Sequence, residues 1–182
     1  GWGALAEWPV KIEYVSEAGV CRQLLAWWGE AAQPRLARCA TLLSGDLDSP
    51  VATTVLCGEA HTAPIQPMGK FLYELDAAVI AAGGVDDLAA ELGLWRVDSR
   101  LEWLSGDATV SHPAVRGFAV LGECAARPRD IRAALRDVGA GEIAVKPRGV
   151  RVNTSKLQRE LRGDGDRPVV VFWGSFGRSE RC

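Results

Sequence analysis

The chain has 182 residues, 48% of them hydrophobic and 24% charged, with a formal net charge of −2. That content suits one domain or two small ones with a real core. No apolar run approaches the ~20 residues needed to cross a bilayer, and no basic start followed by an apolar stretch marks a signal peptide, so the chain reads as soluble and cytoplasmic.

In chain order, the first third reads as strands. "VKIEYVSEAGVCRQLLAWWG" carries two β-prone runs, Ile12, Tyr14 and Val15, then Leu24, Leu25, Trp27 and Trp28, around the turn "SEAG", which predicts a hairpin. Neighbours on a strand alternate, so Trp27 and Trp28 are expected to split, one to the core and one to the other face. "RLARCATLL" and "PVATTVLCG" are two more strands joined by the turn residues "SGDLDS". "EAHTAPIQPMG" is a Pro-rich connector and a plausible boundary.

The middle is helical. "KFLYELDAAVIAAGG" is a strand ending in Glu74 and Asp76 that turns at once into an alanine-rich helix, broken at Gly83–Gly84 before a second helix, "VDDLAAELGL". Acids at the start of the second helix suit its dipole. "RVDSRLEWLSGD" returns to a strand. The last third then alternates: "AVRGFAVLGEC" strand, "PRDIRAALRDVGA" helix, "GEIAVKPRG" strand, "NTSKLQRELRG" helix, "RPVVVFWG" strand. The expectation is an α+β protein: a β-rich module over residues 1–66, a helical connecting segment with one strand over 67–111, and a small βαβαβ domain over 112–182.

Catalytic chemistry is not visible. His61 and His112 stand in no recognisable triad setting, and GxSxG, GxGxxG and GxxxxGK[ST] are all missing. "RGDGDRP" precedes a strand rather than a helix and reads as a turn, not a phosphate cradle. The five cysteines include no CxxC pair, so no metal site is predicted and reduced, buried thiols are expected. Asp76 stands where its carboxylate can accept backbone N–H groups as an N-cap, and Glu74 can meet a basic partner from another segment. The pair reads as a structural joint. The competing reading, a ribose-binding acid, would want a glycine-rich turn ~20 residues earlier, and "SPVATTVLCG" does not supply one.

Charge is more informative. Residues 1–111 hold 7 Lys/Arg against 15 Asp/Glu, while residues 112–182 hold 14 against 8, nets of −8 and +6. Such asymmetry points to an anionic partner for the C-terminal half, with uneven solvated faces as the alternative. Arg129, Arg132 and Arg136 recur at spacings of three and four on one predicted helix. Lys146, Arg148, Arg151 and Lys156 surround the next strand-to-helix turn. Phosphates bind such clusters and helix N-termini, so these seven residues are the candidate RNA contacts. Trp173, Phe172 and Phe176 could stack on bases, although aromatics mostly bury their area.

Several segments together resemble one family. "FLYELDAAVIAAGG" is similar to the "YLYEPDxAVIxAG" segment of bacterial class I S-adenosylmethionine-dependent methyltransferases that carry a C-terminal THUMP-like domain. "EYVSEAGVCRQLLAWWG" resembles their "EWVSxxGExKExxLW" hairpin. "RVDSRLEWLSGD", "VRGFAVLGEC", "RDIRAALRDVGAGEIAVKPRGV" and "SKLQRELRGDGDRPVVVFW" follow in the family's order, so the resemblance covers nearly the whole chain. Leu75 stands where the family has Pro. The resemblance implies a ferredoxin-like first module, a THUMP-like last domain, and structured RNA (tRNA or rRNA) as partner. It implies that the Rossmann-type catalytic domain and its S-adenosylmethionine site lie upstream of this sequence, so no catalytic residue carries over. The chain by itself is expected to be non-catalytic and to bind no cofactor. The alternative is a structural or dimerisation module that packs on the catalytic domain without RNA.

Overall fold

The computed structural model describes residues 10–32, 38–45, 48–58, 61–176 and 179–182. It is an α+β chain of eleven strands and four helices among those residues, divided into two compact units. The first unit runs to Val97 and includes Glu102–Ala119; the second comprises Asp98–Leu101 and Val120–Cys182.

Among the described residues the first unit has four consecutive strands, β1 (Val10–Glu17), β2 (Val20–Trp28), β3 (Arg38–Gly45) and β4 (Pro50–Cys57), with a 3-10 turn at Gly29–Ala31. Their order in the sheet is β2-β1-β3-β4. The two hairpins are antiparallel, and β1 runs parallel to β3 where they meet. Ala18 and Gly19 both take positive φ, 50° and 78°, as a two-residue turn between right-twisted strands requires. Ile12, Tyr14 and Ser16 point inward from β1, joined by Ala40 and Leu42 from β3 and by Val55 and Cys57 from β4.

A second sheet, order β6-β7-β5-β8, is built from β5 (Phe71–Leu75), β6 (Trp95–Arg96), β7 (Trp103–Gly106) and β8 (Val115–Ala119). Helix α1 (Ala77–Ala82) follows β5 after one residue, Asp76, and packs on β1 and β3. Helix α2 (Val85–Leu92) packs on β4 and β6. One apolar core unites them, with Tyr73, Leu75, Val79, Leu88 and Leu104 all within a few per cent of complete burial. The break between the helices has a local cause: Gly83 ends α1 in the left-handed region at φ 74° and bonds back to Ile80. A Cβ on Gly84 would overlap the buried Cys57 Sγ. Gly84→Ala is therefore expected to destabilise the unit by about 1–3 kcal/mol in urea unfolding, whereas Gly122→Ala, where nothing lies within 4 Å, should stay within about 0.5 kcal/mol.

Two expectations need correction here. The strand "AVRGFAVLGEC" heads the βαβαβ order along the chain, but its strand β8 pairs with β5 in the first unit, not with the later strands. Trp27 and Trp28 do take opposite faces, yet neither reaches the core: they are 39% and 69% exposed at the end of an edge strand. Trp27 Nε1 instead donates to Glu13 Oε2 at 2.7 Å.

The second unit holds α3 (Pro128–Asp137), β9 (Ala140–Arg148), α4 (Thr154–Leu161), β10 (Arg167–Phe176) and β11 (Ser179–Arg181). Its sheet has the order β11-β10-β9, with β9 and β10 parallel around α4 and β11 antiparallel to β10. Ile131 and Leu135 of α3 and Leu161 of α4 cover the sheet face formed by Ile143, Val145, Val171 and Trp173. The "RGDGDRP" segment is a turn pressed against the start of β9. Gly163 N donates to Gly141 O and Gly165 N to Ala140 O, so these amides are engaged by the backbone and cradle no anion. Close approach explains the glycines, since a Cβ on Gly141 or Gly165 would overlap opposing carbonyl groups.

Candidate nucleic-acid interface

The seven basic residues do not form one patch. On α3, Arg129, Arg132 and Arg136 are exposed and lie opposite the buried Ile131 and Leu135. Arg132 Nε donates to Glu160 O at 3.3 Å, tying α3 to the end of α4. Only Val138 and Gly139 separate α3 from β9, so Arg136 sits near the strand's amino end. From there β9 carries the chain roughly 25 Å before Arg148 is reached.

Alternation along β9 sends Lys146 and Arg148 to the sheet face opposite Ile143 and Val145, away from both helices. Both are half-buried. Register places Lys146 beside Phe172 and Arg148 beside Gly174 on that face. Arg151 and Lys156 are exposed around the turn from β9 into α4, at the carboxyl edge of the parallel strands. Asn153 caps α4, its side chain accepting from Lys156 N at 2.9 Å. Lys156 Nζ also lies 3.8 Å from Glu160 Oε1. The turn thus carries Arg151 and Lys156 at a helix N-terminus, which favours anions through its free N–H groups and dipole, while Arg148 ends the strand leading into it on the far sheet face.

Two further cations escaped the sequence reading. Arg159 and Arg162 line a cleft of about 710 Å³ with Glu142, Ile143, Ser155 and Gln158, along α4 and the edge strand β9. Their spacing with Ser155 is helical, a signal that was present in "SKLQRELR". Trp173 is not available for base stacking: it is 5% exposed and its Nε1 donates to Glu180 Oε2 at 3.0 Å. Phe172 and Phe176 are half-buried.

Asp76 has a structural setting. It is 9% exposed; Oδ1 accepts from Ala78 N and Oδ2 from the buried Ser16 hydroxyl, both at 2.8 Å, while its own N–H donates to Ala114 O. Three segments are joined there: β1, α1 and the loop before β8. Glu74 stands directly opposite Arg116 across the β5–β8 ladder, an opposite-charge pairing. Leu75, which ends β5, is buried and pairs with Val115.

His61 is engaged elsewhere, its Nδ1 3.1 Å from Asp87 Oδ1, and Asp87 Oδ2 also accepts from Gly58 N. The acids at the start of α2 therefore make tertiary contacts as well as meeting the dipole, with Asp86 accepting from Arg96 Nη1 at 3.1 Å. Burial pushes the Cys57 thiol up to about 12, helped by the Asp87 carboxylate, which makes it a poor nucleophile. Among the described residues no three His, Cys, Asp or Glu side chains converge as a metal site requires, and no helix is long and apolar enough to cross a membrane.

The fold itself has a counterpart among solved structures. A crystal structure from Porphyromonas gingivalis W83, assigned provisionally as a methyltransferase, matches 98% of this chain and 46% of its own with a TM-score of 0.74. At 17% identity the likeness is one of fold. In sequence the chain is similar to uncharacterized S-adenosylmethionine-dependent methyltransferases of two Mycobacterium tuberculosis strains, CDC 1551 and H37Rv. Each is 36% identical over 170 residues, 92% of this chain and 44% of the relative. The chain therefore spans less than half the length of the curated relatives it matches. No family model matches it.

The cofactor in the relatives' names does not fit the strand-to-helix joint of this chain. Both Asp76 oxygens already hold protein donors, and no glycine-rich turn accompanies them to receive phosphate or carboxylate groups.

Proposed function

We propose that this chain is the RNA-recognition region of an S-adenosylmethionine-dependent RNA methyltransferase. Its second unit is read as the THUMP-like part, its substrate as structured RNA (tRNA or rRNA), and its cellular compartment as the cytoplasm. Cofactor binding and methyl transfer then belong to the part of the relatives' length that lies outside the match.

One observation carries this reading: the turn from β9 to α4 puts Arg151 and Lys156 at a helix N-terminus, with Arg148 at the strand end leading into it, in a unit whose charge is strongly positive. Such a turn holds phosphates without reading bases, which suits a region that positions RNA for chemistry done elsewhere. Lys146 extends the surface on the far sheet face, and Arg129, Arg132 and Arg136 offer a second, separate contact along α3. The test is a mobility-shift titration with a tRNA transcript at ~50 mM salt. A saturable shift at micromolar protein is expected, and no shift at any concentration would reject the reading.

A second reading has its own observation. The edge strand β2 exposes Leu24 (51%) and Trp28 (69%) on one face and Val20 (48%) and Trp27 (39%) on the other. Apolar edges of this kind are templates for association, so a structural module that docks on a catalytic domain or on a second copy is the alternative. It predicts concentration-dependent sedimentation and no shift with RNA.

A further inference from the structure

The segment preceding α3 returns to the sheet as a short fourth member. Ala125 bridges Arg181 in antiparallel sense, which places residues 124–126 along β11. Next to that bridge, Cys124 N donates to Cys182 O at 2.9 Å and Cys182 N donates to Cys124 O at 3.0 Å. Two residues that exchange both backbone bonds face each other directly, with Cα atoms about 5.5 Å apart and side chains on one side of the sheet. That separation lies inside the range of roughly 4.4–6.8 Å that a disulfide accepts. Both cysteines are free thiols, both are half-buried, and both border the apolar cluster beneath α3 and α4.

We propose that Cys124 and Cys182 are a redox-responsive pair that closes to a disulfide across this edge of the second unit. The oxidant is a low-molecular-weight disulfide. The Cys124 thiol loses its proton and attacks one sulfur of that disulfide, forming a mixed disulfide and releasing one small thiol. Cys182 then loses its proton and attacks the Cys124 sulfur, forming the protein S–S bond and releasing the second small thiol. Two protein thiols are oxidised and one small disulfide is reduced to two thiols.

Burial keeps both thiols protonated, so the exchange runs through a small thiolate fraction and is slow at neutral pH. The same burial pushes both thiols up, Cys182 to about 12, and the second cause acting on Cys182 is Cys124 itself. Closure would make a ring of the 59 residues from Cys124 to Cys182, enclosing α3, β9, α4 and β10. A ring of that size restricts the unfolded chain strongly, so its formation is expected to raise the melting temperature of the second unit by about 10 °C. The inference stands whether or not the unit binds RNA.

The experiment treats the full chain carrying Cys21→Ser with oxidised glutathione under native conditions, then maps its thiols by mass spectrometry. The proposal predicts the loss of two hydrogens from the intact mass, a peptide pair linked through Cys124 and Cys182, and a higher melting temperature that dithiothreitol reverses. Cys182→Ser should abolish the link and the shift, leaving a glutathione adduct at Cys124. Separate adducts on the two cysteines of the Cys21→Ser protein, free alkylation of both after oxidation, or the same shift in the Cys182→Ser variant would overturn it.

Discussion

Asp76→Ala is expected to destabilise the first unit by about 2–4 kcal/mol. The change removes the N-cap of α1, worth about 1 kcal/mol. It also strands the buried Ser16 hydroxyl, which donates to Asp76 Oδ2; leaving such a group unsatisfied costs about 1–3 kcal/mol more. The two losses share a cause, so they act together on the joint between β1 and α1. Asp76→Asn should lose far less, because its carbonyl oxygen can still accept from Ala78 N and its amide can still bond the Ser16 hydroxyl. Ser16→Ala should fall between the two. Urea unfolding of the three variants checks this, and a loss under about 0.5 kcal/mol for Asp76→Ala would show that the joint contributes nothing beyond packing. A double-mutant cycle between Ser16 and Asp76 isolates the bond from the cap.

Replacing Arg148, Arg151 and Lys156 together by Ala is expected to weaken RNA binding at least tenfold at ~100 mM salt, with the fold intact. Each phosphate contact contributes through counterion release, so three lost contacts also flatten the salt dependence by about three units of slope for duplex-like RNA. Replacing Arg129, Arg132 and Arg136 tests the second contact, and a smaller effect is expected there. Arg136 lies roughly a strand's length from the turn, so one phosphate track reaches the α3 stripe only by crossing the helix layer. Arg132 is also partly committed to Glu160 O. Equal losses in both triple variants would instead place the RNA across the helical face. No loss in the first variant would remove the β9–α4 turn from the interface.

Local rules made much of this fold legible. The β1–β2 hairpin follows from its alternation and the Ala18–Gly19 turn. The start of α1 follows from an acid before an alanine run, its end from Gly83, and α3 from Ile131 and Leu135 at helical spacing. What escaped depends on distant register. Nothing near β8 in sequence says that its five residues pair with β5, more than forty positions earlier. Nothing near Ser16 says that it meets Asp76. The exposure of Trp28 depends on where β2 ends relative to the helices rather than on its own alternation.

The candidate site was legible as composition and not as geometry. Counting charges found the basic half and six of its cations around the α3–β9–α4 segment, together with Lys146. The division of those cations between the helix layer, the far sheet face and the carboxyl edge requires knowing which β9 residues face Ile143's side. Alternation fixes that only once the helix-covered face is known. Arg159 and Arg162 were overlooked because they follow the expected turn, although their helical spacing with Ser155 sets them along one cleft.

The central claim is that the second unit holds structured RNA through phosphate contacts. Its most direct test is the affinity of the full chain for a tRNA transcript between ~50 and ~300 mM monovalent salt. A linear fall of log affinity with log salt, of slope about −3 or steeper, is the expected result for three or more neutralised phosphates in duplex-like RNA. A flat dependence, or an affinity unchanged in the Arg148, Arg151 and Lys156 triple variant, would contradict it.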